Sequence, residues 1–254
     1  MKKISRVFIG VLTLVLVGGG AAEATRGPQG IVYTAHNLST SQEDPILSMY
    51  QSSNEEQVCI FCHTPHGGTL DGPLWNRESP SATSYTHYNS ATLSSYLQGL
   101  AVNRAVSKES LLCLSCHDGT IAMNSLVNYS HVGVPEYWDS GSEDLIMPAE
   151  MFGVPGPRVG TDLSNDHPIS FIYASATENR IGTMYNSIED AEGAGVRFFP
   201  PNGADALKRV ECSSCHDPHV AYDSYWGALA DENYRPFLIT SNVGSGLCLA
   251  CHIK

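Results

Sequence analysis

Cys59-Ile60-Phe61-Cys62-His63-Thr64-Pro65-His66 decides how the rest of the chain is read. Two thiols three positions apart lie on one side of a helical turn, and the histidine that follows them projects from the same turn. That is how a c-type haem is held: each thiol forms a thioether to a vinyl group, and the next residue, His, ligates the iron from the proximal side. The pattern recurs as Cys113-Leu114-Ser115-Cys116-His117, Cys212-Ser213-Ser214-Cys215-His216 and Cys248-Leu249-Ala250-Cys251-His252. The four motifs use all eight cysteines, whereas at this composition one motif is expected about 0.01 times by chance. Disulfides or zinc ribbons would explain paired cysteines, but neither requires His directly after each second Cys. The motifs therefore predict four haem c groups held by those cysteines, with His63, His117, His216 and His252 as proximal iron ligands.

Six-coordinate irons need four more ligands, and six histidines lie outside the motifs: His36, His66, His87, His131, His167 and His219. An internal repeat selects among them. Ala35-His36-Asn37, then Cys-His-Thr-Pro-His ending at His66, then Leu112-Cys113 is answered by Asp166-His167-Pro168, Cys-His-Asp-Pro-His ending at His219, then Leu247-Cys248. Each half carries two motifs, one upstream His and one His three residues past its first motif, so ligands balance within each half. His36, His66, His167 and His219 are the expected distal ligands. His87 and His131 have no counterpart, and His131 is the first substitute. His66 and His219 sit on the proximal side of their own haem, so each has to bind a different one. The methionines, Met147 and Met151 among them, show no repeat and read as packing or surface residues.

With 42% apolar and 16% charged residues in 254, the chain predicts a packed body rather than a disordered tail. A formal charge of −12 argues against a nucleic-acid partner. Lys2, Lys3 and Arg6, the apolar run Val7 to Val17, and Ala22-Glu23-Ala24 form the pattern of a cleaved signal peptide over residues 1–24. Its loss takes the charge to −14. An eleven-residue apolar run is too short for about 30 Å of hydrocarbon, so no transmembrane segment is expected. The first cysteine is Cys59, which argues against an N-terminal lipid.

Asn54, Ser107, Asp205 and Ser241 or Ser245 are candidate N-caps for a short helix entering each motif. The 23 Gly and 14 Pro predict loops elsewhere. The expected fold is a multihaem cytochrome c: mostly irregular coil with short α-helices around a haem core, about a fifth helix and almost no β-sheet. Residues 25–254 form one tetrahaem domain of two dihaem halves, about 25–130 and 160–254, joined by a loop-rich segment. The acidic stretch Glu136, Asp139, Glu143, Asp144 and Glu150 could bind calcium but reads better as a solvated face.

Cys-Ile-Phe-Cys-His-Thr-Pro-His, Cys-Leu-Ser-Cys-His-Asp-Gly-Thr, Asn-Asp-His-Pro-Ile and Cys-Leu-Ala-Cys-His-Ile-Lys resemble the doubled multihaem c-type cytochromes of metal-reducing bacteria. Nearest in haem number are the exported tetrahaem cytochromes that polymerise into extracellular filaments, the cytochrome nanowires. The similarity spans roughly Gly30 to Lys254. It implies haems stacked in alternating parallel and T-shaped pairs, bis-histidine ligation throughout, and one distal His donated by a neighbouring copy. His36, on an expected N-terminal arm, is the natural donor.

The favoured function is electron transfer along a haem chain with no substrate chemistry, since bis-imidazole iron has no open position. Expected partners are other copies of the chain, periplasmic or outer-membrane cytochromes, and an external acceptor such as a metal oxide. The expected location is the cell exterior, or the periplasm for a second reading, a soluble shuttle that never polymerises. A filament needs apolar or aromatic surface at two complementary ends, which Tyr85, Tyr88, Tyr96, Trp138, Tyr185, Tyr225 and Trp226 could supply, although buried packing against haem explains them at least as well. A third reading, a reductase of nitrogen or sulfur oxyanions, needs one five-coordinate iron.

Overall fold

A computed structural model describes residues 28–42, 50–69, 72–78, 80, 85–137, 145–151, 154–178, 180–201, 207–220, 232–234 and 236–254. The expected leader, the candidate cap Asp205 and the aromatics Trp138, Tyr225 and Trp226 lie outside them.

The helices are short, as a chain punctuated by Gly and Pro requires: α1 (Pro28–Ile31), α2 (Ser95–Gly99), α3 (Lys108–His117), α4 (Tyr173–Thr177), α5 (Ile188–Gly193) and α6 (Gly246–Cys251). Ser94 caps α2 by accepting from the Leu97 N–H, and Ser187 caps α5 by accepting from that of Asp190. α3 begins after Ser107, as expected, and its last turn is the second motif.

Strands are two or three residues long: β1 (Tyr85–His87), β2 (Asn103–Arg104), β3 (Glu150–Met151), β4 (Val154–Pro155), β5 (Asp162–Leu163), β6 (Phe171–Ile172) and β7 (Arg209–Val210). They form sheets β2-β1-β5, β3-β4 and β6-β7. In the first, Tyr85 faces Arg104 antiparallel and His87 pairs with Leu163 in parallel. The expectation of short helices in irregular chain matches this architecture. Strand pairing is commoner than expected, because a loop-built body must still give its buried backbone N–H and C=O groups partners.

The apolar interior is three separate clusters among the described residues rather than one contiguous core, and each sits behind a motif. Ile60 and Phe61 of the first motif pack with Met123, Leu126 and Tyr137. Leu114 of the second joins Tyr85, Val106 and Leu163. Ala250 of the fourth joins Phe171, Tyr173 and Phe198 among others. The residues between the cysteines thus anchor the turns. The third motif is anchored by polar groups instead: the buried Ser214 hydroxyl accepts from the Glu211 N–H at 2.9 Å.

The second and third motifs are stitched together across the expected halves. Ser110 and Ser170 donate to Glu211 Oε2 at 2.6 and 2.9 Å, and the Cys212 N–H donates to Ser110 Oγ at 3.1 Å. Among the described residues no helix is long and apolar enough to cross a membrane.

Candidate functional site

Each motif is wound into one turn. The N–H of His63 donates to the Cys59 carbonyl (2.8 Å), that of His216 to Cys212 (3.1 Å) and that of His252 to Cys248 (2.9 Å). Helices carry only the second and fourth motifs. The third lies on a 3₁₀ turn, Cys212–Ser214, capped by Glu211, and the first lies in turns alone. No helix enters the first motif because its candidate cap, Asn54, is otherwise engaged: its Oδ1 accepts from the Glu136 N–H at 2.9 Å. Ser245 precedes α6 in a left-handed conformation without a side-chain cap bond.

All eight cysteines are unbridged. Burial raises Cys62 to about 12 and Cys215 to about 11, so both stay thiols at neutral pH. Cys113 and Cys212 are hydrogen-bonded to each other, which raises the first and lowers the second. The second and third motifs therefore meet sulfur to sulfur.

The odd-numbered motifs share a clamp that the sequence comparison did not reveal. His63 donates Nδ1–H to the Pro73 carbonyl (2.9 Å) and His216 to that of Pro236 (2.7 Å). The next N–H, of Thr64 or Asp217, donates to Leu74 or Phe237, each at 2.8 Å, and the N–H of Asn76 or Ile239 returns to Cys62 or Cys215. Leu74 and Phe237 both have φ 56°, a left-handed conformation that bulky residues rarely adopt and that surrounding contacts must hold. The second motif reaches the same end by another route, His117 donating Nδ1–H to Pro157 at 2.7 Å. Binding a ring through Nδ1 leaves Nε2 as the free electron pair, which is how metal-ligating histidines are oriented.

Three motif histidines each face one histidine from outside the motifs. His36 and His117 have ring centres 6.1 Å apart, His63 and His219 6.3 Å, and His167 and His252 6.4 Å. Two nitrogen-to-metal bonds of about 2.0–2.1 Å, plus about 1.1 Å from each nitrogen to its ring centre, add up to about 6.3 Å, so the rings of each pair stand at a distance that would admit one metal ion between them. His167 donates Nδ1–H to Pro168 at 2.8 Å, and His219 is held through Nδ1 by Asp217 Oδ1 at 3.1 Å. Aromatic side chains steady the pairs: Trp75 lies 5.5 Å from His63, Phe237 4.5 Å from His36 and Tyr185 5.1 Å from His252. Burial, and then the imidazoles of His117, His219 and His216, push His36 down to about 3. Burial also lowers His117 and His252. All three are neutral at physiological pH, the form that ligates a metal.

Several expectations are corrected here. His36 is no free arm: its ring stands 6.1 Å from that of His117 of its own chain, with Nδ1 buried. The rings do not pair within halves: His219 of the second half faces His63 of the first. Among the described residues no imidazole pairs with His216, while His66 is exposed with no ring beside it. His87 is buried in β1 with Nε2 directed at the Arg104 carbonyl at 3.3 Å, and His131 is exposed. Tyr85 is buried and donates to Asp118 Oδ2 at 2.8 Å, so it supplies no surface. Of the acidic stretch, Asp139, Glu143 and Asp144 lie outside the described residues.

Sequence reasoning missed the three proline carbonyls, Asp217, and the aromatics that flank the imidazoles. The paired strings Pro73-Leu74-Trp75 and Pro236-Phe237-Leu238 were the available signal, masked by unequal spacing from their motifs.

Among the described residues no group of three or more His, Cys, Asp or Glu side chains could hold a bare ion. What the chain offers is imidazole pairs next to paired thiols, residues that would hold a haem by thioethers and ligate its iron. No protein-family model matches the chain, and no curated protein sequence matches it.

Proposed function

We propose that this chain is a tetrahaem c-type cytochrome that moves electrons one at a time and performs no substrate chemistry. The observation that carries the reading is the set of three imidazole pairs, each with one motif histidine, at 6.1–6.4 Å. When bound, the haems supply reversible one-electron chemistry. The chain attaches them through its cysteines, orients His63, His117, His167, His216 and His219 through Nδ1 and shields them with Trp75, Tyr185 and Phe237.

We further propose that copies assemble head to tail into an extracellular filament, with His66 of one copy serving the His216 position of the next. His219, three residues past its motif, reaches the first motif of the preceding half. His66 holds the matching place, and the half that would precede it belongs to another copy. The apolar residues Ile181, Met184, Val243 and Ile253, exposed around the fourth motif, would be covered by such contacts. His216 also favours a second reading, since a chain that stays monomeric would leave its iron open, as a reductase requires.

The test is to purify the exported protein, count covalent haems by intact mass and record electron paramagnetic resonance (EPR) spectra and micrographs. Four haems, all low-spin, in filaments is the expected result. His66→Ala should yield dispersed particles with one high-spin iron. A chain without covalent haem overturns the cytochrome reading. Wild-type monomers with one cyanide-binding iron overturn the filament in favour of the reductase.

A further inference from the structure

Arg77 is fully buried, and nothing in the electron-transfer reading uses it. Its Nη1 donates to the Met123 carbonyl at 2.7 Å, and its Nη2 to those of Ser115 (3.0 Å) and Ala122 (2.8 Å). Nε is buried without an acceptor. No carboxylate among the described residues pairs with it; the nearby buried Asp118 is occupied by the Tyr85 hydroxyl and by Thr120. A guanidinium does not deprotonate in proteins, so the chain carries a permanent interior cation whose partners among the described residues are carbonyl dipoles. Such a charge is costly to bury.

Its position suggests why it is kept. Asn76, the preceding residue, donates its backbone N–H to the Cys62 carbonyl at 2.9 Å. Ser115, which accepts from Nη2, lies between Cys113 and Cys116. Arg77 thus bridges the first motif and the loop of the second. These contacts set its charge within one residue of the second motif's cysteines and one residue from the backbone that holds the first.

We propose that Arg77 is a fixed internal cation that raises the reduction potential of the haem held at Cys113, Cys116 and His117 above those of its neighbours. A nearby positive charge in a poorly polarisable interior favours the iron state with one less positive charge, which is the reduced one. The second haem would then be the electron well of the chain.

This inference rests on the haem reading above, and its test separates the two. Redox titration of the purified four-haem protein, followed by EPR, is compared for wild type, Arg77→Gln and Arg77→Lys, with thermal melting alongside. Both variants break the carbonyl clamp and lower the melting temperature, but only Arg77→Gln removes the charge. In that variant one midpoint is expected to fall by at least 59 mV, a tenfold change in the oxidised-to-reduced ratio of a one-electron couple, with a much smaller change in Arg77→Lys. Ala122→Asp, which sets an anion beside the intact guanidinium, should lower the same midpoint and serves where Arg77→Gln fails to fold. Four attached haems with unmoved potentials, or equal shifts in the Gln and Lys variants, overturn the role of Arg77. Absence of covalent haem overturns the cytochrome reading instead.

Discussion

Replacing Asp217 by Asn isolates the carboxylate that holds His219. Its Oδ1 accepts from the His219 backbone N–H at 3.0 Å and from the ring Nδ1 at 3.1 Å, and its Oδ2 accepts from Arg197 Nη2 at 2.8 Å. Burial alone would raise this carboxyl, but the bonds from His219 and Arg197 outweigh it and hold the group well below the usual carboxylate range. Asn keeps one oxygen for His219 and points an amide N–H at Arg197, which can only donate. A hydrogen bond to a charged group contributes roughly 1.5–3 kcal/mol. The Arg197 side chain is 30% exposed, so water recovers part of the loss and about 1.5 kcal/mol remains. For a chain of this length that lowers the melting temperature by about 3–6 °C.

The pH dependence has a definite sign. A depressed folded-state pKa stabilises above the unfolded value of about 3.9 and is lost progressively as pH falls below it. The gap between wild type and Asp217→Asn should therefore be full at pH 7 and narrow below about pH 4. Thermal melts across this range, with Arg197→Gln completing a double-mutant cycle, should give a coupling of about 1 kcal/mol. Additive single effects, or a gap indifferent to pH, would refute the reasoning.

Glu211 should behave oppositely: burial raises its carboxyl, against the pull of its bonds to Ser110, Ser107 and Ser170, and its Oε1 is buried without a partner. Glu211→Gln is expected to melt higher than wild type at pH 7, with the advantage vanishing below about pH 4, where both side chains are neutral. Asn76 is fully buried, donates to Ile60 and Asn128 carbonyls at 2.7 and 2.9 Å and accepts from the Asn128 N–H at 2.8 Å. Asn76→Ala should cost about 2–4 kcal/mol in urea unfolding, since the Ile60 carbonyl, which is buried, and two partly buried backbone groups of Asn128 lose their partner. The ring planes of the three imidazole pairs cross at 60°, 19° and 78°. On the proposed ligation, EPR should resolve at least two distinct low-spin ferric signals, and one uniform signal would contradict that geometry.

The motif turns and the second-motif helix were legible because their cause is local: Ser107 and the run into His117 carry their own start and stop signals. Shortness of the helices followed from Gly and Pro for the same reason. The proline clamps were not legible, because Pro73 follows His63 by ten residues and Pro236 follows His216 by twenty, so only the folded backbone brings them to equivalent places. Nor could pattern tell that His36 lies beside another imidazole while His66 stands alone among the described residues. Neither is part of an apolar run in the sequence, and the placing of His36 depends on Phe237, some two hundred residues away.

The crossing of His219 to His63 also changes what the repeat means. Two halves that each satisfied their own ligands would be self-contained, and polymerisation would need an unrelated surface. A half whose downstream histidine reaches its predecessor cannot be complete alone, like a repeat that buries one face only by stacking on the next. On the proposed ligation, joining two such halves satisfies one crossing and leaves one donor and one receiving position, His66 and His216. They are different sites, so the contact they imply is heterologous: it closes only if rotation brings the last copy back to the first, and otherwise runs on as a helical filament. On the proposed reading, polymerisation is the same crossing as His219 to His63, repeated between chains.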